Sequence, residues 1–370
     1  MMKTKPLGSL ADIQTGPFGS QLHKEDYVPV GTPIVTVEHL GNRVFTEQNL
    51  PLVSDADRDR LHKYILKKGD IVFSRVGSVD RCSYVDAAHD GWMFSGRCLR
   101  VRPNAELDPM FLYYYFCLEE TKQFVRNIAV GATMPSINTK LLGEVPITFP
   151  CVDKQKRIAQ LLAAIDDKIE NNDKINDNLQ QQAQAIYASM FITNADPAWT
   201  QGHLSDLITV KYGKDHKKLA DGVYPVFGSG GIMRYVERPL YTGESVLIPR
   251  KGTLNNVMYV NEPFWSVDTM FYTEMKIPNV AKFVYHLVKS KDLASMNAGS
   301  AVPSMTTDIL NALELTIPSA DRLAEFESAV VPMYQMMQAN SRESAKLAEL
   351  RNTLLPKLMS GEIDVSDIQV

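Results

Sequence analysis

The chain has 370 residues, 45% hydrophobic and 22% charged, with a net charge of −4. That length allows two or three domains with cores of their own, and no apolar run approaches the roughly 18 residues of a membrane span. The mild negative charge excludes a protein that coats nucleic acid through its overall field, so any such binding needs local basic patches.

In chain order, the opening MMKTKPLGSLADIQTG lacks the apolar stretch of a secretory signal, and a cytoplasmic protein is expected. Cys82, Cys98, Cys117 and Cys151 form no C-x-x-C pair, which favours reduced thiols over disulfides or zinc. Residues 1–150 carry 17 basic and 17 acidic groups and read as a first mixed module. Within it, KGDIVFSRVG (68–77) reads as a strand running into a glycine turn with Arg75 at its tip. DPMFLYYYFCLEETKQFVRNIAVG (108–131) reads as one helix, with Asp108 as N-cap, Pro109 at the first helical position and Gly131 closing it. Its aromatic run, Phe111 to Phe116, reads as core rather than as a platform for bases.

Residues 131–150, GATMPSINTKLLGEVPITFP, return without a gap as GSAVPSMTTDILNALELTIP at 299–318. Gly131 and Gly299, Pro135 and Pro303, Ser136 and Ser304, and Pro150 and Pro318 are each 168 residues apart. A period that long marks a duplicated domain and not a solenoid. The second copy spans 198–318, with 12 basic and 11 acidic groups. It repeats the strand and turn as GESVLIPRKG (243–252), with Arg250 at the tip, and its helix is expected from Asn279 to Gly299.

A heptad segment follows each copy. In 151–197 the seam is Ile158, Leu162, Ile165, Ile169, Leu179 and Ile186, with polar layers at Asn172 and Asn176. In 319–370 it is Leu323, Phe326, Val330, Met337, Leu347 and Leu354, where Pro332 and Pro356 should kink or end the helix. The expected fold is therefore α+β: two similar mixed α/β modules, separated by two long antiparallel coiled-coil helices and related by a pseudo-two-fold. About 38 residues of helix would span roughly 57 Å.

Marks of catalysis are missing. The chain has no G-x-x-x-x-G-K-[ST] phosphate loop, no H-E-x-x-H zinc pair and no N-P-P-[YF] or D-P-P-[YF] tetrapeptide. No catalytic residue, metal or bound cofactor is expected. What the modules do offer is loops that mix glycine with basic and amide residues, suited to phosphates and base edges. Their candidate DNA-binding residues are Gln14, Ser20, His23, Lys24, Ser74, Arg75, Ser78 and Arg81 in the first module. In the second they are Lys214, Lys217, Lys218, Ser229, Arg234, Arg250, Lys251, Thr253 and Asn255. The alternative is a non-catalytic protein-interaction scaffold built on the coiled coil; the glycine–basic loops count against it.

PLGSLADIQTGPFGS, KQKRIAQLLAAIDDKIE, YPVFGSGGI with IPRKGT, and LLPKLMSGEIDV occur in this order. Together they make nearly the whole chain resemble the specificity subunits of type I restriction–modification systems. The resemblance implies two target recognition domains, each reading half of a split, asymmetric sequence in double-stranded DNA. It implies that the helices act as a ruler and as docking surface for two modification (methyltransferase) subunits, joined by restriction subunits. S-adenosylmethionine, ATP and Mg would lie on those partners, which flip and methylate adenine and cleave DNA.

Overall fold

The computed structural model describes residues 2–365 apart from 20, 132 and 297–302, and omits the side chain of Lys24. Ser20, Gly299 and the Lys24 side chain thus lie outside the described residues. Contacts divide the chain into two units, residues 1–171 with 343–370 and residues 172–342. The division cuts both long helices, Val152–Ala188 and Ala320–Ser360, so each unit holds one module and part of each helix.

In the first unit, strand Ile71–Ser74 is buried at all four positions and takes the centre of an antiparallel sheet. Its β-branched and aromatic side chains suit a pleated surface covered on both faces. Cys82–Tyr84 lies on one side of it, and on the other Cys98–Pro103 followed by Ala11–Thr15. A second sheet runs Tyr27–Val28, Leu52–Val53, Thr32–Val35, Met93–Phe94, ending on a parallel pair that sets Ile34 opposite Met93. Lys3–Pro6 pairs with Pro146–Phe149, so the end of the module closes on its beginning.

The second unit repeats this plan. Ile208–Tyr212, Met270–Met275, Ser245–Pro249 and Met258–Val260 form the antiparallel sheet. Gly231–Val236, Asp221–Gly228 and Trp265–Ser266 form the second sheet, again with a parallel pair at its end. Thr200–His203 closes on Glu314–Ile317. The 168-residue repeat supplies matching parts: Asn138 caps Thr139–Gly143 through the N–H of Leu141, and Thr306 caps Thr307–Asn311 through the N–H of Ile309.

Three expectations need correction. The helix expected over 108–131 is two, Pro109–Cys117 and Glu119–Ile128, because Leu118 is extended. Asp108 does cap the first, accepting from the N–H groups of Met110 and Phe111. That helix is buried nearly all round, whereas the second buries only Thr121 and Val125, so the break passes the chain from core to surface. In the second module Asn279 does not cap: it adopts a left-handed turn (φ 59°), Val280 takes the N-cap position and the helix is Ala281–Lys289. Finally, neither Pro332 nor Pro356 ends the last helix, which runs Ala320–Ser360. Both prolines are exposed, so the carbonyls that lose a backbone partner to them are within reach of water, while buried Val330 and Tyr334 hold the helix around Pro332.

The helices are antiparallel within each unit. In the first, Lys168 pairs with Glu343 at 3.1 Å and Asp166 with Arg351 at 2.6 Å. Ile158 and Leu162 are buried in one cluster with Leu355, Leu358 and the module's own Phe111 and Leu112, and Leu354 packs against it. In the second unit Leu323, Phe326 and Val330 are buried with Tyr187, Phe191 and the module's Phe283, and Ile186 and Met337 pack against them. A two-helix seam alone leaves its knobs partly wet; full burial of Leu162 and Phe326 needs the module as a third layer. The heptad stripe is therefore a module-facing surface as much as a helix-facing one. Ile165 is also buried, but Ile169, Leu179 and Leu347 are half-exposed and join neither cluster among the described residues. Amides occupy the middle: the Asn340 side chain donates to Asn176 at 2.8 Å, and fully buried Asn172 donates to the Asn340 carbonyl at 3.5 Å.

Candidate nucleic-acid interface

In each module an arginine follows directly on the inner strand, Ile71–Ser74 or Ser245–Pro249, and the chain then turns. In the first module the turn passes through Gly77 (φ 75°), in the second through Gly252 (φ 87°), a left-handed backbone that glycine adopts without strain. The N–H of Arg75 donates to the carbonyl of Arg97 and its own carbonyl accepts from Ile137, both at 2.9 Å. Arg250 is held in the same way between Thr269 and Met305, again at 2.9 Å. The side chains match too. Arg75 Nη1 donates to the Gly96 carbonyl at 3.2 Å and its guanidinium lies 5.6 Å from the centre of the Phe18 ring. Arg250 Nη1 donates to the Asp268 carbonyl at 3.2 Å, and the guanidinium lies 5.3 Å from the centre of the Tyr212 ring.

Neither guanidinium has a carboxylate partner among the described residues, whereas Arg43, Arg100, Arg102, Arg126, Arg234 and Arg351 all do. A positive, planar group held by one carbonyl and one ring keeps further N–H donors for an outside acceptor.

A model of the type I restriction modification DNA specificity domain matches residues 1–181 and again 198–322. The chain belongs to that family. Similar curated proteins include the type I restriction enzyme MjaIX specificity subunit of Methanocaldococcus jannaschii, 24% identical over 70% of each chain. The HindI specificity subunit of Haemophilus influenzae is 22% identical over 81% of this chain and 88% of its own. Among solved structures, the S subunit of a type I restriction–modification system from M. genitalium superposes with a TM-score of 0.62 at 20% identity, covering 97% of this chain and 96% of that one. As a specificity-family member the chain serves DNA sequence recognition and is not itself an enzyme.

For a specificity subunit, the other sequence candidates divide by what their side chains already hold. Ser78, Lys214, Lys217, Lys218, Lys251 and Thr253 are exposed beside the two turns or in neighbouring loops. His23 is exposed, with its Nδ1 3.6 Å from Asp26. Gln14 is half-buried in a strand, opposite Arg100. Ser74 must be withdrawn as a ligand residue: it is 1% exposed and its hydroxyl donates to the Val76 carbonyl, fixing the turn. Arg81 donates to the Leu40 carbonyl, and Arg234 to Asp221 and the Leu219 carbonyl. Asn255 bridges Asp292 and the N–H of Ala294; these three shape loops. Asn256, which sequence reasoning passed over, ties the glycine hairpin to the Arg250 turn by donating to the Ser229 carbonyl at 2.7 Å. Phe18 and Tyr212 were missed as well; the signal was an aromatic residue set among glycines in GPFGS and KYGK.

Proposed function

We propose that the chain reads a bipartite, asymmetric duplex target, one half-site per module, and docks two modification subunits. The observation that carries this is the matched pair of arginines without a carboxylate partner among the described residues, Arg75 and Arg250, on matching backbone straps with different neighbours. One frame with different side chains around it suits two different half-sites. Each arginine has the fork geometry that pairs with guanine O6 and N7, while the exposed lysines nearby suit phosphates.

The long helices are the spacer between the half-sites and the surface on which modification and restriction subunits assemble. S-adenosylmethionine, Mg and ATP belong to those partners, which methylate adenine and cut DNA in the cytoplasm. Sequencing the host's methylated adenines before and after deletion of this chain tests the reading. Loss of methylation at one motif of two short blocks around an unspecified spacer is expected; loss at a continuous palindrome would overturn it.

A further inference from the structure

We propose that Phe18 and Tyr212 are positioning residues for DNA reading, each ring being the shelf on which Arg75 or Arg250 is laid flat for its half-site. This rests on the half-site reading above. The two frames match through their backbone hydrogen bonds. The N–H of Gly16 donates to the Cys98 carbonyl at 3.2 Å, and that of Gly213 to the Met270 carbonyl at 3.0 Å, so Gly16 and Gly213 correspond. Phe18 lies two residues after its glycine, but Tyr212 lies one before. By count, the partner of Phe18 is Asp215 and that of Tyr212 is Thr15.

A ring nonetheless lies by the guanidinium in both modules, at 5.6 and 5.3 Å. Simple inheritance through duplication would have kept the ring at one chain position. What the modules share is instead the ring's place at the arginine, reached from two directions.

Core packing does not explain these rings, because Phe18 is 55% and Tyr212 52% exposed. A guanidinium held by a ring and a carbonyl keeps its charge and its outward N–H groups. It also has less rotamer freedom left to lose when it meets DNA.

The test uses the assembled complex and a randomised duplex library, with the bound sequences read out. Phe18→Leu should blur sequence preference in one half of the selected motif and Tyr212→Leu in the other half. Affinity for the wild-type motif should fall roughly three- to tenfold in each. Phe18→Tyr and Tyr212→Phe should restore both readouts. Phe18→Leu added to Arg75→Ala should cost nothing more than Arg75→Ala alone, since the ring acts through the arginine. Additive losses would make the ring a direct DNA contact and overturn the proposal. So would leucine variants that select the unchanged motif at wild-type affinity while the arginine variants blur it. If Arg75→Ala and Arg250→Ala also leave the motif sharp, the half-site reading itself falls and takes this proposal with it.

Discussion

The backbone N–H of Met305 donates to the carbonyl of Arg250 at 2.9 Å, and Ile137, 168 residues earlier, does the same for Arg75. The repeated ending of each module is therefore a strap across its arginine turn. Ser136 bridges to Val76 and Ser304 to Lys251 in the same two places. The repeat that marks the duplication in the sequence thus also fixes where each arginine stands.

Replacing Arg250 with alanine should weaken binding of the target by about 1–3 kcal/mol, with the loss confined to one half-site. Arg75→Ala should affect only the other half. Competition binding with duplexes altered in one half at a time measures this. An equal loss on every duplex would make the arginine a phosphate contact instead.

Leu162 is fully buried in one cluster with Leu358 and the module's Phe111 and Leu112, so its truncation should act on the first unit's stability before it acts on assembly. Leu162→Ala is expected to cost about 2–5 kcal/mol in chemical denaturation. Leu179→Ala, at a half-exposed position outside both clusters, should cost much less.

His286 is fully buried, its Nδ1 2.7 Å from Gln184 Oε1 and its Nε2 2.9 Å from the Tyr334 hydroxyl. The amide oxygen needs a donor, so the proton sits on Nδ1 and Tyr334 donates to Nε2. Burial, with the charge of Lys289 adding to it, pushes its pKa down to about 4. The unfolded chain, titrating near pH 6.5, takes up a proton that the folded chain refuses. Stability is therefore full above about pH 6.5 and falls as the pH drops from there toward about 4, by up to about 3 kcal/mol. Denaturation midpoints at pH 7.5 and 4.5 should separate for the wild type and draw together in His286→Gln.

In the corresponding part of the first unit, Tyr114 donates to Asp166 at 2.7 Å and Arg351 to the same carboxylate at 2.6 Å. Asp166 is only 6% exposed, so Arg351→Met should cost on the order of 2–4 kcal/mol by leaving a buried charge short of a partner. Adding Asp166→Asn should recover much of that loss. A single-variant cost near zero would mean that water replaces the guanidinium.

Periodicity and punctuation, which are local properties, were legible in the sequence alone. Two modules followed from the 168-residue repeat, two long helices from the heptads, and the arginine tips from strand–Gly turns. Tertiary structure decided how each polar side chain is spent. Ser74 and Arg81 resemble Ser78 and Arg75 in sequence, yet the first pair is tied to the carbonyls of Val76 and Leu40. Ser78 stays exposed, and Arg75 lies on Phe18, 57 positions earlier in the chain. Heptad spacing likewise names the buried stripe without saying what covers it. That Leu162 shares a buried cluster with the module's Phe111 as well as with a second helix depends on a third layer, which only the folded chain supplies.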